Sequence, residues 1–132
     1  MKIIIDDKIP FIHGSLEPYA DVLYIPGNKI DRQTAKDADA LIIRTRTICN
    51  KKLLEGTNVK FIATATIGYD HIDTKWCEEN GIIWKNAEGC NSASVAQYLA
   101  STLSYLSNKH KNPINKFSEI YGSLAVDAVF HK

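Results

Sequence analysis

Residues 59–73 read VKFIATATIGYDHID, and the change of character along this stretch decides the fold. Val59 to Thr66 is a continuous run of apolar and small residues rather than an alternating one, the pattern of a strand covered on both faces in a parallel sheet. Ile67-Gly68 ends the run, and Asp73 stands where its carboxylate can cap a helix that stops at Asn80-Gly81. Strand, glycine turn and capped helix make one βα unit.

Outward from this unit the same alternation repeats. Further strands are read at Lys2–Asp6, Val22–Ile25, Ala40–Arg44 and Gly81–Lys85, and helices at Phe11–Ala20, Arg32–Ala38, Asn50–Glu55 and Asp73–Asn80. The longest helix is read at Ser92–Asn108, where Val95, Leu99, Leu103 and Leu106 recur at helical steps and Asn91 or Ser92 can cap the start. The predicted fold is α/β: a flavodoxin-like, doubly wound, five-stranded parallel sheet whose ligands sit at the carboxyl ends of the strands. Asn112-Pro113 breaks the pattern, and Pro113 opens an extra C-terminal helix with Ile114, Phe117, Ile120, Tyr121 and Leu124 on one stripe. That stripe is expected to cover apolar surface of the α/β domain, with a homodimer contact as the competing use. Residues 1–110 are thus read as one domain and 111–132 as a tail.

Composition sets the bounds. A chain of 132 residues with 45% hydrophobic and 23% charged residues is one ordinary domain, large enough to bury a core without disulfides or a structural metal. Sixteen Lys+Arg against fifteen Asp+Glu leave a net charge of +1, which gives no footprint for nucleic acid. Cys49, Cys77 and Cys90 are odd in number and contain no CxxC, so neither a disulfide framework nor a zinc site is signalled and a cytoplasmic setting is expected. The opening MKIIIDDKIP turns charged at Asp6, too early for a signal-peptide core or a membrane span, so neither export nor anchoring is expected.

The chemistry is sought at the strand ends. Arg44-Thr45-Arg46-Thr47 follows the third strand, two guanidinium forks interleaved with two hydroxyls. This composition reads anions, and it equally suits a solvated loop whose threonines satisfy a turn. After the fourth strand, small residues and Gly68 let a ligand approach the backbone, and Thr66 can donate its hydroxyl there. The competing reading leaves Gly68 as a turn former and Asp70 and Asp73 as caps. His71, flanked by aspartates in one turn, does not converge with them on a metal. After the fifth strand, residues 86–95 open the long helix, whose amides either bind an anion or are capped by Asn91 and Ser92. Cys90 is expected to be a buried, inert thiol, and no cysteine nucleophile is assigned.

Taken together, MKIIIDDKIP, PGNKI, DADALIIRTRT, VKFIATATIGYDHID and NAEGCNSASVAQY resemble the D-2-hydroxyacid dehydrogenase family, in the branch that oxidises 4-phosphoerythronate in vitamin B6 biosynthesis. The resemblance covers about residues 1 to 110 and implies a substrate-binding domain. By it, Thr45 falls at a substrate-contacting Ser/Thr position and Thr66 at a second contact. Gly68 and Tyr69 match a turn whose backbone faces the substrate carboxylate. Arg44 matches the arginine before the Thr45 position, and Arg46 is an additional phosphate or carboxylate partner. Asn91 to Val95 match the segment that crosses toward the cofactor, while Glu88 stands where many relatives carry proline.

The family passes hydride to NAD held by a separate Rossmann domain with a GxGxxG turn, and this sequence contains no such motif. The family's catalytic arginine, glutamate and histidine also have no counterpart here, and the sequence from Asn112 onward departs from the family. The resemblance therefore implies a truncated chain that binds a small phosphorylated hydroxy acid, binds no NAD alone and is inactive without a partner. Two readings from other classes compete. A phosphoacceptor receiver would use Asp6, Asp7, Thr66 and Lys85, but Arg44-Thr45 stand where its acceptor aspartate belongs. A noncatalytic interaction module would use the terminal helix.

Overall fold

The computed structural model describes residues 1–110. Its strands are β1 (Lys2–Asp6), β2 (Asp21–Ile25), β3 (Ala40–Ile43), β4 (Phe61–Thr64) and β5 (Ile83–Asn86), all parallel in the order β2-β1-β3-β4-β5. That order is the flavodoxin-like one expected from the βα repeats. Residues paired across a parallel ladder share a face of the sheet. Ile4, Leu41 and Ile62 therefore line one side, and Ile3, Ala40, Phe61 and Ile83 line the other.

The first face carries the helices α1 (Arg32–Ala35), α2 (Lys51–Leu54) and α3 (Thr74–Glu79), and packs Ala35, Leu53, Leu54 and Cys77 onto Ile4, Leu41, Ile43 and Ile62. Each of these helices starts at a side-chain cap. Asp31 accepts from Thr34 N, Asn50 from Leu53 N and Asp73 from Trp76 N. The chain leaves α3 through Gly81 at φ 70°, a left-handed turn that glycine adopts without cost. The helix expected from Ser92 is present as α4 (Ser92–His110). Met1–Glu88 forms one compact unit, and α4 belongs to a second that begins at Gly89. The helix expected from Pro113 lies outside the described residues.

The helix expected at Phe11–Ala20 does not form: this stretch is a series of turns. Phe11 (φ 59°) and Gly14 (φ 83°) both take left-handed backbone, and Pro18 has no N–H to donate to a helical ladder. Polar groups hold the segment instead. The Glu17 carboxylate accepts from Gly14 N (2.9 Å) and from the Tyr24 hydroxyl (2.6 Å), and the His13 ring stacks on Tyr24 at 3.9 Å between centroids. These bonds hold the Glu17 carboxyl down to about 2. Ile12, Leu16 and Ala20 from this segment, with Ile9 just before it, cover Ile3, Ile5 and Ala40 on the second face of the sheet, the place a crossover helix would have taken.

The 3₁₀ turn Gly27–Lys29 after β2 brings the buried Gly27 against Asp6 at the end of β1. A Cβ at Gly27 would meet the Asp6 carboxylate closer than van der Waals contact and crowd the Thr47 hydroxyl at 3.2 Å. The Gly27→Ala protein is expected to lose about 1–3 kcal/mol of stability in urea unfolding, as overpacked sites do.

Candidate functional site

The chain turns sharply after β3. Thr47 N–H donates to the Arg44 carbonyl (3.2 Å), which puts Thr45 and Arg46 at the exposed corner. The flanking residues are used by the fold. Thr47, 1% exposed, donates its hydroxyl to the Gly27 carbonyl at 2.9 Å, and Arg44 donates Nη1 to the Lys8 carbonyl at 3.0 Å. Asp6, 2% exposed, accepts from Lys8 N–H at 2.9 Å. Of the RTRT stretch, Thr45 and Arg46 therefore face solvent while Arg44 and Thr47 tie β3 to the ends of β1 and β2.

After β4 a second loop runs beside the first. Ala65 N–H donates to the Ile43 carbonyl (2.9 Å), and Ala87 N–H donates to the Thr66 carbonyl (3.0 Å). Asn86 Nδ2 donates to the Ile67 carbonyl at 2.8 Å. The two loops join through an isolated parallel bridge at Cys49 and Ile72, where Cys49 N–H donates to the His71 carbonyl and Asp73 N–H to the Cys49 carbonyl, each at 2.8 Å. Gly68 and Tyr69 lie exposed at the bend, with the Tyr69 ring tilted against Trp84 of β5 at 4.8 Å. A Cβ built at Gly68 would meet nothing within 4 Å, so the fold does not need glycine there.

Beneath this bend lies a polar chain. The Thr64 and Thr66 hydroxyls are 2.6 Å apart, Thr64 Oγ1 is 2.9 Å from His71 Nε2, and Thr66 donates to the Gly68 carbonyl at 2.9 Å. In this arrangement the one hydrogen of the Thr66 hydroxyl is given to the Gly68 carbonyl. Burial pushes the His71 pKa below its ordinary 6.5, while the charge of Asp70 acts the other way. Sequence reasoning passed over Thr64 and treated His71 only as a failed metal ligand. The signal for Thr64 was its spacing, since residues two apart at the end of a strand share a face with Thr66.

The other candidates sort themselves by environment. Burial pushes the Cys49 thiol up to about 12 and the Cys77 thiol up to about 11, which makes both inert. Cys90 was expected to be buried and is exposed, because the turn it occupies precedes α4 without entering the core. Asn91 to Val95 lie in the second unit, which begins at Gly89. No group of His, Cys, Asp and Glu suited to a metal occurs among the described residues. A cleft of about 290 Å³ lined by Lys51, Val59, Trp76 and Ile82 sits where the chain enters β4 and β5, at the edge of the sheet opposite the two loops.

Comparison with known proteins gives this arrangement its context. Residues 7–127 match the model for the catalytic domain of D-isomer specific 2-hydroxyacid dehydrogenases, a match that extends into the 111–132 segment. The chain belongs to this family. It is 65% identical over 104 residues to erythronate-4-phosphate dehydrogenase of Bacteroides thetaiotaomicron, covering 78% of this chain and 30% of that protein. It is 56% identical over 119 residues to the enzyme of the same name from Bacteroides fragilis strain YCH46, covering 89% of this chain and 34% of that protein. The chain thus spans about a third of the length of these relatives. Among solved structures it resembles NAD⁺-bound 3-phosphoglycerate dehydrogenase from Entamoeba histolytica, with a TM-score of 0.60 and 26% identity over 76% of this chain and 37% of that one.

To grip a dinucleotide the chain would need a glycine-rich turn that opens a helix. Its 7 glycines include no G-x-G pair, and Gly68, where the backbone is most open, precedes the six-residue α3 by a further turn rather than opening it. These residues do not fit a pyrophosphate. The receiver reading also falls, since Asp6 of its acidic pair is buried and bonded to the Lys8 amide. No described helix is long and apolar enough to cross a membrane.

The lowered His71 pKa has a signed consequence. Above 6.5 the imidazole is neutral in both folded and unfolded chains. As pH falls below that value, the unfolded chain takes up the proton first and the fold loses stability. Unfolding measured across this range is expected to show a stability that rises with pH, and the His71→Gln protein a flatter dependence.

Proposed function

We propose that this chain supplies the substrate-binding part of a 4-phosphoerythronate dehydrogenase acting in pyridoxal phosphate biosynthesis, and that it does not turn over substrate alone. One observation carries the reading. Two loops at the carboxyl ends of neighbouring strands, joined by a backbone bridge at Cys49 and Ile72, each carry exposed candidates, Thr45 and Arg46 on the first and Gly68 and Tyr69 on the second. The names of the relatives from Bacteroides support the substrate, and three free cysteines, two of them buried, support a reducing, cytoplasmic setting.

In this reading the amides at Gly68 and Tyr69 take the substrate carboxylate, which the bare glycine lets approach closely. Arg46 reaches the phosphate from the corner of its turn as a planar fork, Arg44 adds charge from its anchored position, and Thr45 gives a directional hydroxyl. Oxidation at C2 must remove a hydride and a proton. No group assigned here accepts either, so the acceptor, NAD in the Entamoeba histolytica neighbour, comes from a partner domain or chain.

An NMR titration of the labelled full chain with 4-phosphoerythronate, with and without NAD, is expected to show saturable shifts at Thr45, Gly68 and Tyr69 that ignore NAD. Absence of shifts at millimolar ligand would remove the reading. In the same titration Gly68→Ala is expected to bind at least about tenfold more weakly, a change of about 1.4 kcal/mol. Its unfolding free energy should stay within about 0.5 kcal/mol of the parent, because the new methyl points into open space. Arg46→Ala is expected to weaken binding by about tenfold and to reduce its salt dependence, through loss of a charge-assisted contact.

A further inference from the structure

We infer that Thr66 meets a ligand as an acceptor from a ligand hydroxyl and not as a donor to a carboxylate or phosphate, because the Gly68 carbonyl takes its hydrogen and the buried Thr64–His71 pair, with His71 as a positioning residue, holds that order from below. The inference rests on the reading above in one respect, that the ligand docks at the Thr66–Tyr69 bend.

Proton counting carries the argument. Each threonine hydroxyl has one hydrogen to give and two lone pairs to receive with. The Gly68 carbonyl can only accept, so the Thr66 hydrogen is spent on it at 2.9 Å. The 2.6 Å contact between the hydroxyls must then be filled by the Thr64 hydrogen, pointing to Thr66. With that hydrogen used, the 2.9 Å contact between Thr64 and His71 Nε2 is filled only if the imidazole carries its proton on Nε2. The reverse polarity, with Nε2 bare, would turn the Thr66 hydrogen inward and set its oxygen against the Gly68 carbonyl with no hydrogen between them. Thr64 and His71 are 3% and 7% exposed, so the middle of the chain is closed to solvent. Burial also favours the neutral ring, which leaves Nδ1 bare.

One lone pair on Thr66 remains open. Carboxylate and phosphate oxygens at neutral pH bring no hydrogen to it, whereas a carbinol does. The donors on the same loops, the Gly68 and Tyr69 amides, Thr45 and Arg46, are left for the anionic groups. Thr66 thereby distinguishes a hydroxylated carbon from its deoxy counterpart, which would bury an unfilled acceptor.

The first arm of the test needs no ligand and no variant. Long-range proton–nitrogen spectra of the His71 ring at neutral pH are expected to show hydrogen on Nε2 and a bare Nδ1. Hydrogen on Nδ1 would overturn the inference outright. The second arm compares 4-phosphoerythronate with its 2-deoxy analogue by titration. The wild-type chain is expected to prefer the hydroxylated ligand by about tenfold, the scale of one well-placed hydrogen bond. His71→Leu and the isosteric Thr64→Val, which leave the Gly68 carbonyl alone to hold the Thr66 hydrogen, should each weaken that preference, and His71→Gln, which restores an N–H donor, should recover it. Should His71→Leu fail to fold, Thr64→Val decides the point. Equal affinity of the wild-type chain for both ligands would overturn the role of Thr66. If neither ligand binds while the ring carries its hydrogen on Nε2, the docking reading fails, and the ligand half of the inference with it; the proton order stands.

Discussion

Two backbone hydrogen bonds, from Cys49 N–H to the His71 carbonyl and from Asp73 N–H to the Cys49 carbonyl, hold the carboxyl edge of the sheet in one piece. Beyond Ile43 and Thr64 the strands β3 and β4 end, and two loops leaving a sheet would ordinarily diverge toward their own helices. The bridge resumes parallel pairing six residues after Ile43 and eight after Thr64. Its members immediately precede the residues that start the helices: Asn50, after Cys49, caps α2, and Asp73, after Ile72, caps α3. The positions of both helices are thus transmitted directly to both loops. The side chains of Cys49 and Ile72 are buried in the core beneath, so the bridge has an apolar floor as well as a polar link.

The polar groups at this edge divide between the fold and the solvent. Thr47 turns inward to Gly27, and Thr45 turns outward. Thr64 and His71 are enclosed, and Gly68 and Tyr69 are open. Each buried member has a hydrogen-bond partner, which is what lets polar residues stand at the end of a hydrophobic sheet without destabilising it. The enclosed members stiffen the exposed ones. A loop whose backbone carbonyls at Thr66 and Ile67 are taken by Ala87 and Asn86 spends little further entropy when a ligand arrives.

Much of this was legible in the chain. The continuous runs LII and FIAT announced buried parallel strands, and Asn50 and Asp73 announced helix starts, because each is a local effect of one residue on its own neighbours. The family resemblance was legible from five separated stretches and is shared by the relatives. What could not be read were the long-range polar contacts. Nothing in Arg44-Thr45-Arg46-Thr47 says which threonine will find Gly27, twenty residues earlier in the chain. Nothing in DHID says that its histidine will turn back under the strand to Thr64. The failed helix at Phe11–Ala20 has the same cause in reverse. Its composition permits a helix, and the bonds from Glu17 to Tyr24 and Gly14 favour turns instead.

That segment leaves a mark on how the protein can vary. A crossover helix must keep its period, since one inserted residue rotates its apolar stripe by about 100° away from the sheet. The turns between Asp7 and Ala20 carry no such period: they hold the sheet through a few side chains and one carboxylate cluster. Length and sequence between those anchors are less constrained by packing than those of a helix would be. Because the segment follows Lys8, whose carbonyl receives Arg44, a change of length there falls beside the exposed corner of the first loop.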